Sequence, residues 1–191
     1  VKGGPASDFM MSATEVTFDQ YDEFCDATGY VRPAAPFGRG EMPVVNVSKA
    51  DARAYCLWLS KKLGKTVRLP NEEEWEYAAA GGPFTESYVF TGSGNPDDVA
   101  WYNENAEQDE YDPEKELPEP RTHIVATKQP NILGFYDMSG NVWEWFDGEE
   151  EVAIGGAYTS IPHDCFPSSK SGSYDPGFKG INVGFRIVKN M

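Results

Sequence analysis

Between Gly155 and Arg186 the chain reads GGAYTSIPHDCFPSSKSGSYDPGFKGINVGFR, with Gly-Gly at one end and Gly-Phe-Arg at the other. The interior mixes Ser, Gly and Pro with scattered aromatics. Pro has no backbone donor, Gly loses the most entropy when ordered, and Ser competes for backbone hydrogen bonds, so neither helix nor regular strand is favoured there. A long tract of this kind in a compact domain is either disordered or functional. The rest of the chain must then supply a frame for loops.

The 191 residues suit one domain, 1–191, large enough to bury a substantial core. Aromatics at 14% argue against disorder, and 19 Gly with 14 Pro point to turns and long connections rather than a helical bundle. A net charge of −15 excludes nucleic acid as a partner, because phosphate repels such a surface. Mean hydropathy of −0.53 and the lack of a long apolar run exclude a transmembrane segment. Acidic residues cluster from Glu104 to Glu119 and from Asp147 to Glu151, which reads as solvated loops, although carboxylate-rich loops can also hold Ca²⁺. Three cysteines, Cys25, Cys56 and Cys165, cannot form a complete disulfide framework. The chain begins at Val1 without initiator Met, signal peptide or lipidation motif, as expected of a trimmed or processed product.

Three helices are predicted early. The first starts at Thr17, with Gln20 completing a capping box, and sets Phe18, Tyr21, Phe24 and Cys25 on one face up to Gly29. The second starts at Ser48, presents Ala52, Tyr55, Cys56 and Leu59, and stops near Gly64. Cys25 and Cys56 thus lie on apolar faces, where a buried reduced thiol is expected. Val67–Leu69 is extended, Asn71 and Glu74 box a third helix, and Gly81-Gly82-Pro83 ends it. Pro83 to Pro120 is loop-rich, and short strands are predicted at Val152–Ile154 and Val183–Val188. The fold class is α+β, with few helices, short strands and many loops.

Several segments, in this order, carry a resemblance: ATEVT from Ala13, PVVNVS from Pro43, RLPNEEEWEYA from Arg68, GFYDMSGNVWEW from Gly134, Gly155-Gly156 and Gly184-Phe185-Arg186. Together they span nearly the whole chain and resemble the formylglycine-generating enzyme (sulfatase-modifying factor) family. The resemblance implies an elaborated C-type lectin fold. The family's copper-dependent oxidases use two cysteines in the tract after Gly-Gly, since paired thiolates hold soft Cu(I). By that count the first position falls on Ser160 and the second on Cys165. A hydroxyl is a hard, weak ligand, so no catalytic residues are expected. The related non-haem iron branch uses several histidines, whereas only His123 and His163 exist here.

A further branch of the resemblance is the variable proteins of diversity-generating retroelements, which rewrite a tract between Gly-Gly and Gly-Phe-Arg into a ligand-binding surface. That implies a variable region at 155–186, framed by Gly155, Gly156, Cys165, Pro176, Lys179, Val183, Gly184, Phe185 and Arg186. With one residue inserted between Cys165 and Pro176, the implied variable, ligand-binding positions are Thr159, Ser160, Ile161, Asp164, Ser169, Ser171, Gly172, Ser173, Tyr174, Phe178, Gly180, Ile181 and Asn182. Aromatics in Ser/Gly surroundings match the anchor-and-adaptor chemistry of paratopes. Tyr174 and Phe178, set between Ser, Asp, Pro and Gly, are expected to be exposed, and Tyr158 and Phe185 to be core.

In the family, the turn from Asp137 to Glu144 supplies a structural Ca²⁺ site through the Asp137 and Glu144 side chains and the Gly140 and Val142 carbonyls. A metal-free turn held by Asx hydrogen bonds is the other reading of the same residues. A second Ca²⁺ site is lost, with Val99 where the family uses Asn. Trp143 and Trp145 should share one face of an extended piece and pack in the core, and Arg68 should pair with a carboxylate. The resulting expectation is a non-catalytic, monomeric, receptor-like protein binding an unknown protein or other surface ligand, with secreted or cell-surface placement, as a lipoprotein in one variant. The alternatives are a copper oxidase of the formylglycine-generating type and an accessory surface protein with a fixed partner.

Overall fold

Reciprocal side-chain caps start each of the three long helices in this computed structural model, which describes residues 1, 8–84, 88–107 and 120–190. Helix α1, Phe18–Thr28, begins where Thr17 accepts from the Gln20 amide and the Gln20 side chain accepts from the Thr17 amide. Helix α2, Lys49–Leu63, uses Ser48 and Asp51 in the same way, and α3, Glu72–Ala79, uses Asn71 and Glu74. Each box satisfies two amides that the helix leaves orphaned. Gly29 and Gly64 close α1 and α2 at φ of 72° and 63°, a left-handed conformation that costs glycine little. One helix escaped the sequence reading. The short α4, Pro96–Val99, lies in the segment read as loop, capped by Asn95 with Pro at its first turn.

Strand β1 (Phe9–Met11), also unforeseen, joins β2 (Val67–Arg68) and β6 (Val188–Asn190) in an antiparallel sheet ordered β1-β6-β2. The second sheet is ordered β4-β3-β5, from β3 (Trp143–Trp145), β4 (Ala153–Ile154) and β5 (Val183–Phe185). There β3 runs antiparallel to β4 and parallel to β5, with Glu144 opposite both Ile154 and Gly184. The strand predicted over Val183–Val188 is therefore two strands in different sheets. The break falls at Arg186, whose side chain turns into the interior instead of continuing a ladder.

The main core lies between α1, α2 and the second sheet. Tyr21 stacks on Tyr55 with ring centroids 5.7 Å apart, and Phe185 meets both edge-on. Trp75, Met138 and Ile154 anchor a second cluster, and Phe90, Tyr102 and Cys165 a third. Burying each large side chain of this kind stabilises by roughly 1.5–3 kcal/mol. Trp143, Trp145, Tyr158 and Phe185 are all buried, as expected. Cys25, Cys56 and Cys165 are free and buried. Among the described residues no helix is long and apolar enough to cross a membrane. The stretch from 108 to 119, which holds most of the first acidic cluster, lies outside the described residues.

Candidate ligand-binding site

The tract from Gly155 to Arg186 is fastened at both ends by contacts that admit no other residue. Gly156 sits at φ 84°, and a Cβ there would lie 2.8 Å from the Asp164 carbonyl and 2.9 Å from the Cys165 sulfur. Cys165 is fully buried, and burial pushes its thiol up to about 12, so it is a packing residue rather than a nucleophile. At the far end a Cβ on Gly184 would meet the Val44 carbonyl at 2.6 Å.

Arg186 is the second fastener and is fully buried. Its Nε and Nη2 each donate to Glu144 at 2.7 Å, and Nη2 also donates to the Tyr136 carbonyl at 2.9 Å. Glu144 accepts a further 2.7 Å bond from Trp75 Nε1, so both carboxylate oxygens are engaged. Two more buried carboxyls lie close by. Glu15 Oε1 accepts from Asn141, and Asp137 Oδ2 accepts from the Ala126 amide. Burial, reinforced by the Asp137 and Glu144 charges, holds the Glu15 carboxyl well above the usual carboxylate range. Burial also raises Asp137, to about 6. Glu15 Oε2 and Asp137 Oδ1 have no donor from the rest of the protein, and a proton held on Glu15 lets the two carboxyls hydrogen-bond to each other.

The Ca²⁺ site implied by the resemblance would have to share these residues with the buried ion pair. Of its two carboxylates, Glu144 already accepts from Arg186 and Trp75, and the guanidinium repels a divalent ion, while Asp137 keeps one oxygen without a donor. Among the described residues no group of three or more His, Cys, Asp or Glu is arranged to hold a metal. The turn is held by the arginine.

Within the tract the candidate positions divide. Thr159, Ile161, Gly172, Ser173 and Ile181 are exposed, with Ile161 at 52% and Ile181 at 48%. Asn182 lies between, donating to Thr159 Oγ1 at 3.2 Å, and Asp164 is half-buried beside Ile161. Other positions serve the frame. Ser160 is buried, with its hydroxyl accepting from the Ala157 amide and its carbonyl from Asn103. Gly180 is buried and accepts from the Asn46 amide. Ser169 and Ser171 are half-buried and run beside β4: the Ser169 carbonyl accepts from Gly155, and the Ser171 hydroxyl accepts from Ala153.

The expected exposure of Tyr174 and Phe178 is corrected. Their rings stack at 4.2 Å, Tyr174 meets the Trp145 ring edge at 5.5 Å, and both are half-buried against the main core. Each ring has more to gain from core contact than from water. Of the frame positions, Lys179 binds Asp51 at 2.7 Å, and Asp51 also accepts from the Tyr30 hydroxyl. Arg68 pairs with Glu74, as expected. His123 stacks on Trp101 at 3.7 Å, while His163 is exposed beside Asp164. The Glu15–Asp137–Glu144–Arg186 cluster was not foreseen. Its only sequence signal is Glu144 between two buried tryptophans in strand β3.

Residues 5–191 match the sulfatase-modifying factor enzyme 1-like domain. The chain belongs to that family. It is 37% identical over 192 residues to the chaperone protein LppX of Paenibacillus barcinonensis, an alignment covering 92% of this chain and 68% of that protein. It is 39% identical over 178 residues to the inactive C-alpha-formylglycine-generating enzyme 2 of Bos taurus, covering 82% and 54%. The formylglycine-generating enzyme of Streptomyces coelicolor is 38% identical over 181 residues, covering 80% and 54%. The chain thus spans about two thirds of the first relative and about half of the other two. Treponema denticola variable protein 1 shares the fold, with a TM-score of 0.77 at 24% identity, covering 97% of this chain and 85% of that one. PvdO from Pseudomonas aeruginosa superposes equally well, with a TM-score of 0.77 at 24% identity, covering 97% and 82%. Within this family the present chain lacks the cysteine pair of the oxidase form. Its tract holds Cys165 alone, and Ser160 stands at the other position.

Proposed function

We propose that this domain is a non-catalytic ligand-binding module that presents tract side chains on a formylglycine-generating-enzyme-type scaffold. The observation that carries the reading is the division inside the tract. Its brackets are locked by Cys165, Glu144 and Arg186, while Thr159, Ile161, Ser173 and Ile181 project outward. A rigid frame with outward, exchangeable side chains is how binding loops achieve affinity without losing the fold. The likeness in fold to a variable protein, and the relation to an inactive member of the family, support the same reading. A secreted or cell-surface setting for a partner protein fits these relatives, and lipid anchoring belongs to the same proposal.

The test is a display library randomised at Thr159, Ile161, Ser173, Ile181 and Asn182, set beside one randomised at Ser160, Tyr174, Phe178 and Gly180. Most members of the first are expected to fold with melting temperatures within a few degrees of the parent, and most of the second to be lost. Equal losses in both would sink the display reading. The oxidase reading has its own check: aerobic incubation with copper and a cysteine-containing peptide, followed by mass spectrometry, is expected to leave the cysteine unconverted.

A further inference from the structure

We propose that the groove between the outward face of α2 and strand β2 is a second docking site, one that takes an acidic protein segment presenting an apolar side chain. The groove encloses about 610 Å³ and is walled on one side by Arg53, Leu57, Lys61 and Gly64 and on the other by residues 65–69. Arg53, Leu57 and Lys61 recur at four-residue spacing and so form one face of α2, with Gly64 just past its end. Leu57, part of this wall, is 59% exposed. No residue of the Gly155–Arg186 tract lines the groove, so it is independent of the display surface.

Charge identifies the occupant. Acidic residues outnumber basic ones almost two to one in the whole chain, 31 against 16. The groove reverses this, with Arg53, Lys61, Lys65 and Arg68 against Asp147 alone. Asp147 is matched by Arg53 at 2.6 Å, and Arg68 is matched by Glu74. Lys61 and Lys65 are exposed and have no carboxylate partner among the described residues. The negative end of the α2 dipole accounts for Lys61, but its influence fades within one turn and does not reach Arg53. At 0.1 M salt the Debye length is about 10 Å, so a docked ligand responds to these cations more than to charges beyond that distance.

The backbone shows how the occupant binds. Strand β2 is a sheet edge, yet the Val67 amide donates to Ser60 Oγ at 2.8 Å and the Val67 carbonyl accepts from it at 3.0 Å. Strand addition is therefore blocked at Val67, and recognition falls to side chains: carboxylates on Lys61 and Lys65, and an apolar group against Leu57.

The test is fluorescence anisotropy of the full chain with a fluorescein-labelled peptide of glutamates around a single leucine, at 0.1 M salt. Saturable binding is expected. It should weaken about tenfold or more in K61E/K65E, weaken in Leu57→Ser, and fall with added salt. Both lysines are exposed, so circular dichroism of K61E/K65E should match the parent. Binding that is absent up to millimolar protein, or unchanged in K61E/K65E, overturns the proposal. So does a dimer seen by light scattering that K61E/K65E dissolves, or binding to phosphatidylserine vesicles without peptide binding. Changes at Thr159, Ile161 and Ile181 should leave the peptide affinity unaltered, which separates this site from the display reading.

Discussion

Arg186 and Glu144 form the most deeply buried ion pair among the described residues, with the Glu15 and Asp137 carboxyls buried beside them. Removing one partner of such a pair typically costs about 3–5 kcal/mol, whereas replacing both by apolar groups is often near neutral. Arg186→Met should therefore lower the urea midpoint sharply, and adding Glu144→Leu should restore much of the loss. The Glu15–Asp137 pair adds a pH dependence of unusual sign. Both carboxyls have raised folded-state pKa values, Asp137 to about 6, so the folded state binds more protons than the unfolded chain. Their stabilising contribution is complete below the unfolded value near 4 and is lost as pH rises through about 6 and above. Thermal melts from pH 4.5 to 7.5 should show this decline, and Glu15→Gln should flatten it. Because Glu144 is already bonded to Arg186 and Trp75, EDTA should leave the melting temperature unchanged. A clear drop on chelation would restore a structural cation to the turn.

The elements are held by local signals of two kinds, and their glycines tell them apart. Gly29 ends α1 at φ 72° with nothing near its missing Cβ, so Gly29→Ala should cost only the left-handed strain, about 1–2 kcal/mol. Gly140 has φ 81°, and its Cβ would lie 2.2 Å from the Trp101 carbonyl, which is backbone and cannot swing away. Gly140→Ala should therefore destabilise far more than Gly29→Ala, as comparative denaturation of the two variants would show. The three helix starts were legible in sequence, two of them with their capping boxes, because each box involves side chains only three residues apart. Strand β1 was not, and the one strand read over Val183–Val188 divides into β5 and the start of β6, because so few residues hold no alternation that fixes their limits. Their identity depends on partners such as Val188, which pairs with both Met11 and Arg68.

At the scale of the whole molecule, the tract acts as a loop system stapled to a core, and exposure separates its roles. The sequence by itself determined the α+β class, the three boxed helices, the bracketed tract and the missing second cysteine. Each follows from local chemistry: helix caps, glycine and proline placement, and residue identity at a counted position. Only the tertiary structure decided which tract residues point outward. Ser, Gly, Tyr and Phe carry the same local propensities whether they display or support. Ser160 and Gly180 proved buried, and Tyr174 leans on Trp145 with Phe178 stacked against it, through contacts with residues far away in the chain. The same holds for the groove on α2, since its charge and openness exist only once β2 folds beside the helix. Long-range packing sets burial, and burial separates a frame residue from a binding one.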